Sequence, residues 1–200
     1  MKTSEKILKV AADEFARIGY DGLSMNSLVE KLEINKATVY YHFKDKKALY
    51  KEVIKHEMKK NNDNVKTIFK ENKDPENLFK SYINAHILSI KKNPNIVQIA
   101  LREIANFGAD VDEEIIPYIE EDINFLKLVL DDLNLKEKYK QMNLFSIFSL
   151  IQGTIKTFYA IQMSDLPIGL EEGLKKDSEK SLNHIAEFIS NILLDAIVEK

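Results

Sequence analysis

An all-α fold in two parts is what the sequence predicts, on three observations. Apolar residues recur at helical spacing along nearly the whole chain, with no β-rich stretch and no internal repeat. Capping residues (Ser24, Asn35, Asp45) and breaking residues (Gly19, Pro75, Pro94, Gly108) fall between those stretches. Charge is divided unevenly: residues 1–60 hold 13 Lys plus Arg against 9 Asp plus Glu, about +4, so the overall charge of -3 leaves about -7 for the remainder. The 200 residues, 44% hydrophobic, suffice for a substantial core. Zero cysteines exclude disulfides and thiolate metal sites, and His42, His56, His86 and His184 lack ligand spacing, so neither metal nor cofactor is expected. Met1 to Lys6 lack the apolar core of a signal peptide, and no apolar run is read as reaching the ~18 residues of a membrane helix, which points to the cytoplasm and no membrane partner.

The first helix is predicted from Thr3 or Ser4 to Ile18, with Ile7, Leu8, Ala11, Ala12, Phe15 and Ala16 as its stripe and Gly19 as its stop. Ser24 caps a second helix through Leu28, Val29 and Leu32. Only Glu33-Ile34 separate it from the next cap, Asn35. In the third helix Val39 and Phe43 share the buried side, while Ala37, Thr38 and Tyr41 face outward with Tyr40 and His42 on the edges. Two short helices joined by a tight turn make a helix-turn-helix. An outward face of small residues, tyrosines and a histidine, with Lys36, Lys44, Lys46 and Lys47 at its ends, suits a DNA groove between two phosphate rails. Asp45 caps a fourth helix, about 46 to 70, which links this 1–50 domain to a second domain at 71–200.

Gly19-Tyr20, Leu23-Ser24-Met25, the run from Ile34 to Phe43 and Lys46-Lys47-Ala48-Leu49 resemble the amino-terminal domain of the TetR family of transcriptional regulators. The resemblance covers the first quarter to third of the chain, and its Tyr-x-His-Phe-x-x-Lys run discriminates better than a bare helix-turn-helix pattern. Where the family often has Gly in the turn this chain has Glu33, so either the turn needs no positive φ there or it is mildly strained. The resemblance implies a double-stranded DNA operator as partner, contacted by Ser24, Asn26, Asn35, Lys36, Ala37, Thr38, Tyr40, Tyr41, His42 and Lys46. Helix position assigns Tyr40 and His42 to phosphate and Ala37, Thr38 and Tyr41 to bases. With a pI of 5.9, affinity must come from this local basic surface.

Three further stripes mark the body of the second domain: Leu78 to Ile90, Ile96 to Phe107, and Ile119 to Leu133. From Gln141 to Ile155 no residue is charged, and apolar residues fall on every side, so that helix is predicted to be buried all round, one side on its own domain and the other on a second subunit. After a loop with Pro167, Gly169 and Gly173, the final helix starts near Ser178. The family is known to dimerise through two such helices per subunit. This places Ile151, Ile155, Ile185, Ile189 and Ile192 at a homodimer interface.

The resemblance also implies a small-molecule effector cavity between the middle helices, for which Tyr82, His86, Asn106, Phe107, Phe125, Phe148 and Gln152 are the candidates. Their character favours a mainly apolar or aromatic ligand. His86 reads either as a satisfied core residue or as the polar handle, and Arg102 and Glu103 read as members of structural ion pairs. No glycine-rich phosphate loop, nucleophile elbow or assured carboxylate pair is present, so no catalytic residue is assigned and an enzyme is not expected. Together these readings describe a ligand-responsive regulator, a repressor that binds a palindromic operator as a homodimer. The alternative is an all-helical ligand-binding or adaptor protein that has lost DNA binding. Arg17 and Arg102 are the only arginines, so the third helix cannot form the bidentate arginine contact to guanine, and an A·T-rich site is predicted.

Overall fold

The structure, a computed structural model, describes residues 2–68, 74–106, 108–109, 112–165 and 178–199. It is all-α, as predicted. The helices are α1 (Thr3–Gly22), α2 (Met25–Leu32), α3 (Lys36–His42), α4 (Lys46–Ile68), α5 (Pro75–Lys92), α6 (Asn95–Ala105), α7 (Ile116–Asp131), α8 (Leu144–Gln162) and α9 (Ser178–Ile197). Short 3-10 turns, Glu113–Ile115 and Glu137–Tyr139, precede α7 and α8. The loop containing Pro167, Gly169 and Gly173 lies outside the described residues.

Two compact units form: one comprises Met1–Lys59 with Asn93–Tyr118, the other Lys60–Lys92 with Ile119–Lys200. In the first, α6 packs on α1. Its Val97 and Ile99 are buried, its Asn95 amide donates to the Asp13 carboxylate, and its Arg102 donates to the Arg17 carbonyl at 3.2 Å. Arg102 also explains why residue 19 is glycine. The backbone there has φ 76, breaking the helical geometry of α1, and a Cβ would stand 3.2 Å from the Arg102 guanidinium. The expected ion pairs of Arg102 and Glu103 are replaced by other bonds: Arg102 meets a carbonyl, and buried Glu103 accepts from the Tyr50 hydroxyl. Ile104, placed in the apolar stripe of α6, is instead 67% exposed.

In the second unit, Asp74 caps α5, where Pro75 takes the first helical position. The predicted stripe of α5 from Leu78 to Ile90 is buried, and α9 packs along α5 and against α8. The chain end is fastened to the turn after α7, where Lys136 N–H donates to the Ile197 carbonyl at 2.8 Å and Glu199 N–H to the Asn134 carbonyl at 2.9 Å.

Within the single chain one side of α8 is covered and the other is open: Phe145 and Leu150 are 60% and 55% exposed. Ile151 and Ile155 are fully buried inside the chain, and Ile185 and Ile189 lie in the core, so these four are not surface residues. Ile192, 50% exposed, is the one proposed interface residue that reaches the surface, joined there by Phe188 at 53%. By length and mean hydropathy (19 residues, 1.3) α8 also qualifies as long and apolar enough to cross a membrane, contrary to the sequence reading. Its Gln152 is nevertheless buried and bonded to His86 of α5.

Candidate nucleic-acid interface

The three capping residues read from the sequence all cap. Ser24 Oγ accepts from Ser27 N–H at 3.0 Å, Asn35 Oδ1 from Ala37 N–H at 2.8 Å, and Asp45 Oδ1 from Ala48 N–H at 2.7 Å. Leu28, Leu32, Val39 and Phe43 are buried with α1, although Phe43 is the residue after α3 rather than its last turn. An acid that sequence reasoning passed over holds the arrangement: buried Glu14 of α1 accepts from Arg17 at 2.7 Å and from Lys31 of α2 at 2.5 Å. Those bonds, Arg17 first, hold the Glu14 carboxyl down at about 2 against the burial that would raise it. Its signal in the sequence is position alone, a carboxylate one residue before Phe15 in the apolar stripe.

The turn between α2 and α3 decides the question raised by Glu33. Its φ of 54 and ψ of 39 are left-handed, so the turn does require positive φ and a non-glycine residue bears the strain. Glu33→Gly is expected to raise stability by about 0.5 to 1 kcal/mol, the relief of ~1 to 2 kcal/mol being offset in part by the freer unfolded chain. Thermal melting of the two proteins checks this; an equal or lower melting temperature would count against a strained turn.

The outward face of α3 is open. Tyr41 is 85% exposed and Tyr40 40%, while Ala37 and His42 are exposed and Thr38 partly so. Lys36 donates to Asn26 at 2.8 Å, which places both candidates side by side across the turn, with the Lys36 ammonium 5.8 Å from the Tyr40 ring centroid. Lys46 is held over the Tyr20 ring, 4.4 Å from its centroid. Both arginines are engaged elsewhere, Arg17 with Glu14 and Arg102 with the Arg17 carbonyl, so neither belongs to α3. Ser24 and Asn35 use their side-chain oxygens as caps, which orients the ends of α2 and α3 rather than presenting free acceptors.

The effector candidates are placed unequally. Tyr82, His86 and Gln152 come together in the second unit around an acid the sequence reading did not select, Asp122 of α7. His86 Nε2 lies 3.3 Å from Asp122, the Tyr82 hydroxyl donates to Asp122 at 3.4 Å, and Asn61 of α4 donates to it at 3.4 Å. Gln152 Nε2 is 3.0 Å from His86 Nδ1. Burial, with the Asp122 charge adding to it, drives the Tyr82 hydroxyl well above its ordinary pKa. Phe125 and Phe148 are partly exposed. Asn106 is exposed at the end of α6, in the other unit, and Phe107 lies outside the described residues. Asp122 had a legible signal, since it sits between Ile119 and Leu126 on the apolar stripe of α7.

Two short capped helices, α2 and α3, joined by a tight turn and packed on α1, with one face of α3 open between lysines, make a helix-turn-helix of the DNA-binding kind. Residues 7–53 match the model of the tetR family of bacterial regulatory proteins. That class comprises DNA-binding regulators rather than enzymes. The chain is 37% identical over 51 residues to the biofilm operon icaADBC HTH-type negative transcriptional regulator IcaR of Staphylococcus aureus (strain Newman), covering 26% of this chain and 27% of that protein. The match thus spans about a quarter of that relative's length. Over the whole fold, the fatty acid degradation regulator FadR from Bacillus halodurans is similar with a TM-score of 0.73 at 16% identity, over 97% of this chain and 95% of that one. An HlyIIR mutant protein, with residues 169–186 substituted by a linker containing two thrombin sites, is similar with a TM-score of 0.64 at 26% identity, over 99% and 98% of the two chains.

Proposed function

We propose that this protein is a cytoplasmic, ligand-responsive transcriptional repressor that binds a palindromic operator as a homodimer. The observation that carries the reading is the outward face of α3, where Tyr41 stands 85% exposed beside Ala37, Thr38 and Tyr40 on a helix whose opposite side is locked into the domain. A second copy is invoked by the face of α8 and α9 that bears Phe145, Leu150, Phe188 and Ile192. On that face Gly153 has no heavy atom within 4 Å of where a Cβ would be, a gap in mid-helix that admits close approach of a partner helix. Effector response would run through α4. That helix continues from Lys46, just after the recognition helix in sequence, to Asn61 and Asn62, which bond to Asp122 and Glu121 of α7. A ligand preferring one arrangement of α5, α7 and α8 would shift α4 and change the spacing of the two recognition helices.

Selection of bound sequences from random DNA by the purified protein tests the reading. The expected product is an inverted repeat, rich in A·T, because Lys36 is the one cation on α3 suited to a base edge and Tyr41 and Ala37 offer apolar contact to thymine methyls. Half-sites dominated by consecutive G·C pairs would contradict this base-reading scheme. Absence of any enriched sequence would favour the helical adaptor instead.

A further inference from the structure

Of the three lysines that follow α3, Lys44 and Lys47 are exposed, whereas Lys46 is half-buried at the first position of α4. Its ammonium lies 4.4 Å from the centroid of the Tyr20 ring and donates to the Asp21 carbonyl at 3.4 Å. Both groups come from the last turn of α1, just after its helical geometry breaks at Gly19. The ring is itself held. It stacks on Phe15 of α1 with centroids 6.2 Å apart and lies against Tyr50 of α4 at 5.0 Å, and those two neighbours are 1% and 2% exposed. The Tyr50 hydroxyl donates in turn to buried Glu103 of α6, so the platform beside Lys46 is tied to α1, α4 and α6 within the first unit.

A lysine free in solvent samples many rotamers, and fixing its stem on DNA costs entropy that weakens the contact. A ring face attracts the ammonium through its quadrupole and narrows that choice before DNA arrives. The hold leaves room for a further partner: the ammonium has three donors, the Asp21 carbonyl accepts one, and the others remain for a phosphate oxygen.

We propose that Tyr20 is a positioning residue for DNA binding, whose ring sets the Lys46 ammonium where it meets a backbone phosphate. This rests on the DNA-binding reading above, in which Lys46 is a contact, and adds to it a residue that acts through another.

A double-mutant cycle between Tyr20 and Lys46 in the full-length protein tests the proposal. Binding is read by fluorescence anisotropy on a labelled random-sequence duplex over a range of salt, since a phosphate contact is independent of sequence. Lys46→Ala is expected to weaken binding about fivefold to tenfold near ~0.1 M salt and to lower the salt slope by about one. Tyr20→Leu should weaken it by about threefold or more, and in that background Lys46→Ala should cost less than about twofold. Tyr20→Phe keeps the ring and should match the wild type. A tyrosine that only supported the fold would weaken binding by the same factor with and without Lys46. That additive result, or a Tyr20→Phe variant as weak as Tyr20→Leu, overturns the proposal, with circular dichroism and melting reporting that each variant is folded. Nuclear magnetic resonance of the DNA-free wild type gives a reading that needs no variant: the Lys46 ε-methylene protons should be shifted upfield by the ring, and unshifted protons overturn the proposal. Additive variants that still bind the duplex defeat the positioning alone, whereas a wild type that binds no duplex defeats the regulator reading and the proposal with it.

Discussion

Ile155→Glu is expected to unfold the second unit, whereas Phe188→Glu is expected to leave it folded and monomeric. Ile155 is fully buried inside the chain, so a glutamate there buries a carboxylate with no partner at a cost of more than ~3 kcal/mol, a large share of the ~5 to 15 kcal/mol that holds a typical domain. Phe188 is 53% exposed, and a charge there meets water in the isolated chain but a second apolar surface in a dimer. Circular dichroism and analytical ultracentrifugation separate the two effects. The contrast fails if Ile155→Glu melts like the wild type, or if Phe188→Glu sediments as an unperturbed dimer.

The second large effect is expected at Asp122. Asp122→Ala removes the shared acceptor of His86, Tyr82 and Asn61 together with the charge that acts on Lys156. Breaking a buried charged network by deleting one partner costs ~3 to 5 kcal/mol, which for a chain of this size lowers the melting temperature by roughly 10 °C. Part of that loss comes from Lys156, which loses the favourable charge of Asp122, so Lys156→Met added to Asp122→Ala should restore several degrees. A double variant that melts no higher than Asp122→Ala would show that the two charges are not coupled.

The geometry of the candidate DNA-binding face was legible in the sequence because local chemistry specifies it. Ser24, Asn35 and Asp45 cap through bonds spanning two or three residues, and the outward set on α3 follows from helical spacing around Val39. Glu33 was legible only as a question, since whether the turn needs positive φ depends on how α2 and α3 pack, not on the residue itself. What escaped the sequence depends on contacts distant in the chain. α6 could have covered either unit; its grouping with α1 is set by Asn95, Arg102 and Glu103, which meet Asp13, Arg17 and Tyr50 at separations of more than fifty residues. Likewise, periodicity shows that α8 is apolar on all sides but not which side its own chain covers. That is why Ile151 and Ile155 were placed at an interface and Phe145 and Leu150 were not. His86 fits the core reading in its bonds to Gln152 and Asp122.

The central claim is that α3 reads bases, and anisotropy titrations of wild type and Tyr41→Ala on the selected operator and on random duplex DNA test it most directly. Tyr41 makes no packing contact that holds the domain together, so its loss should spare the fold and affect recognition alone. Tyr41→Ala is expected to lose ~1 to 3 kcal/mol, roughly 5- to 150-fold, on the operator and less than about twofold on random DNA. Equal losses on both would make Tyr41 a backbone contact, and no loss on either would contradict the assignment of α3 as the recognition helix.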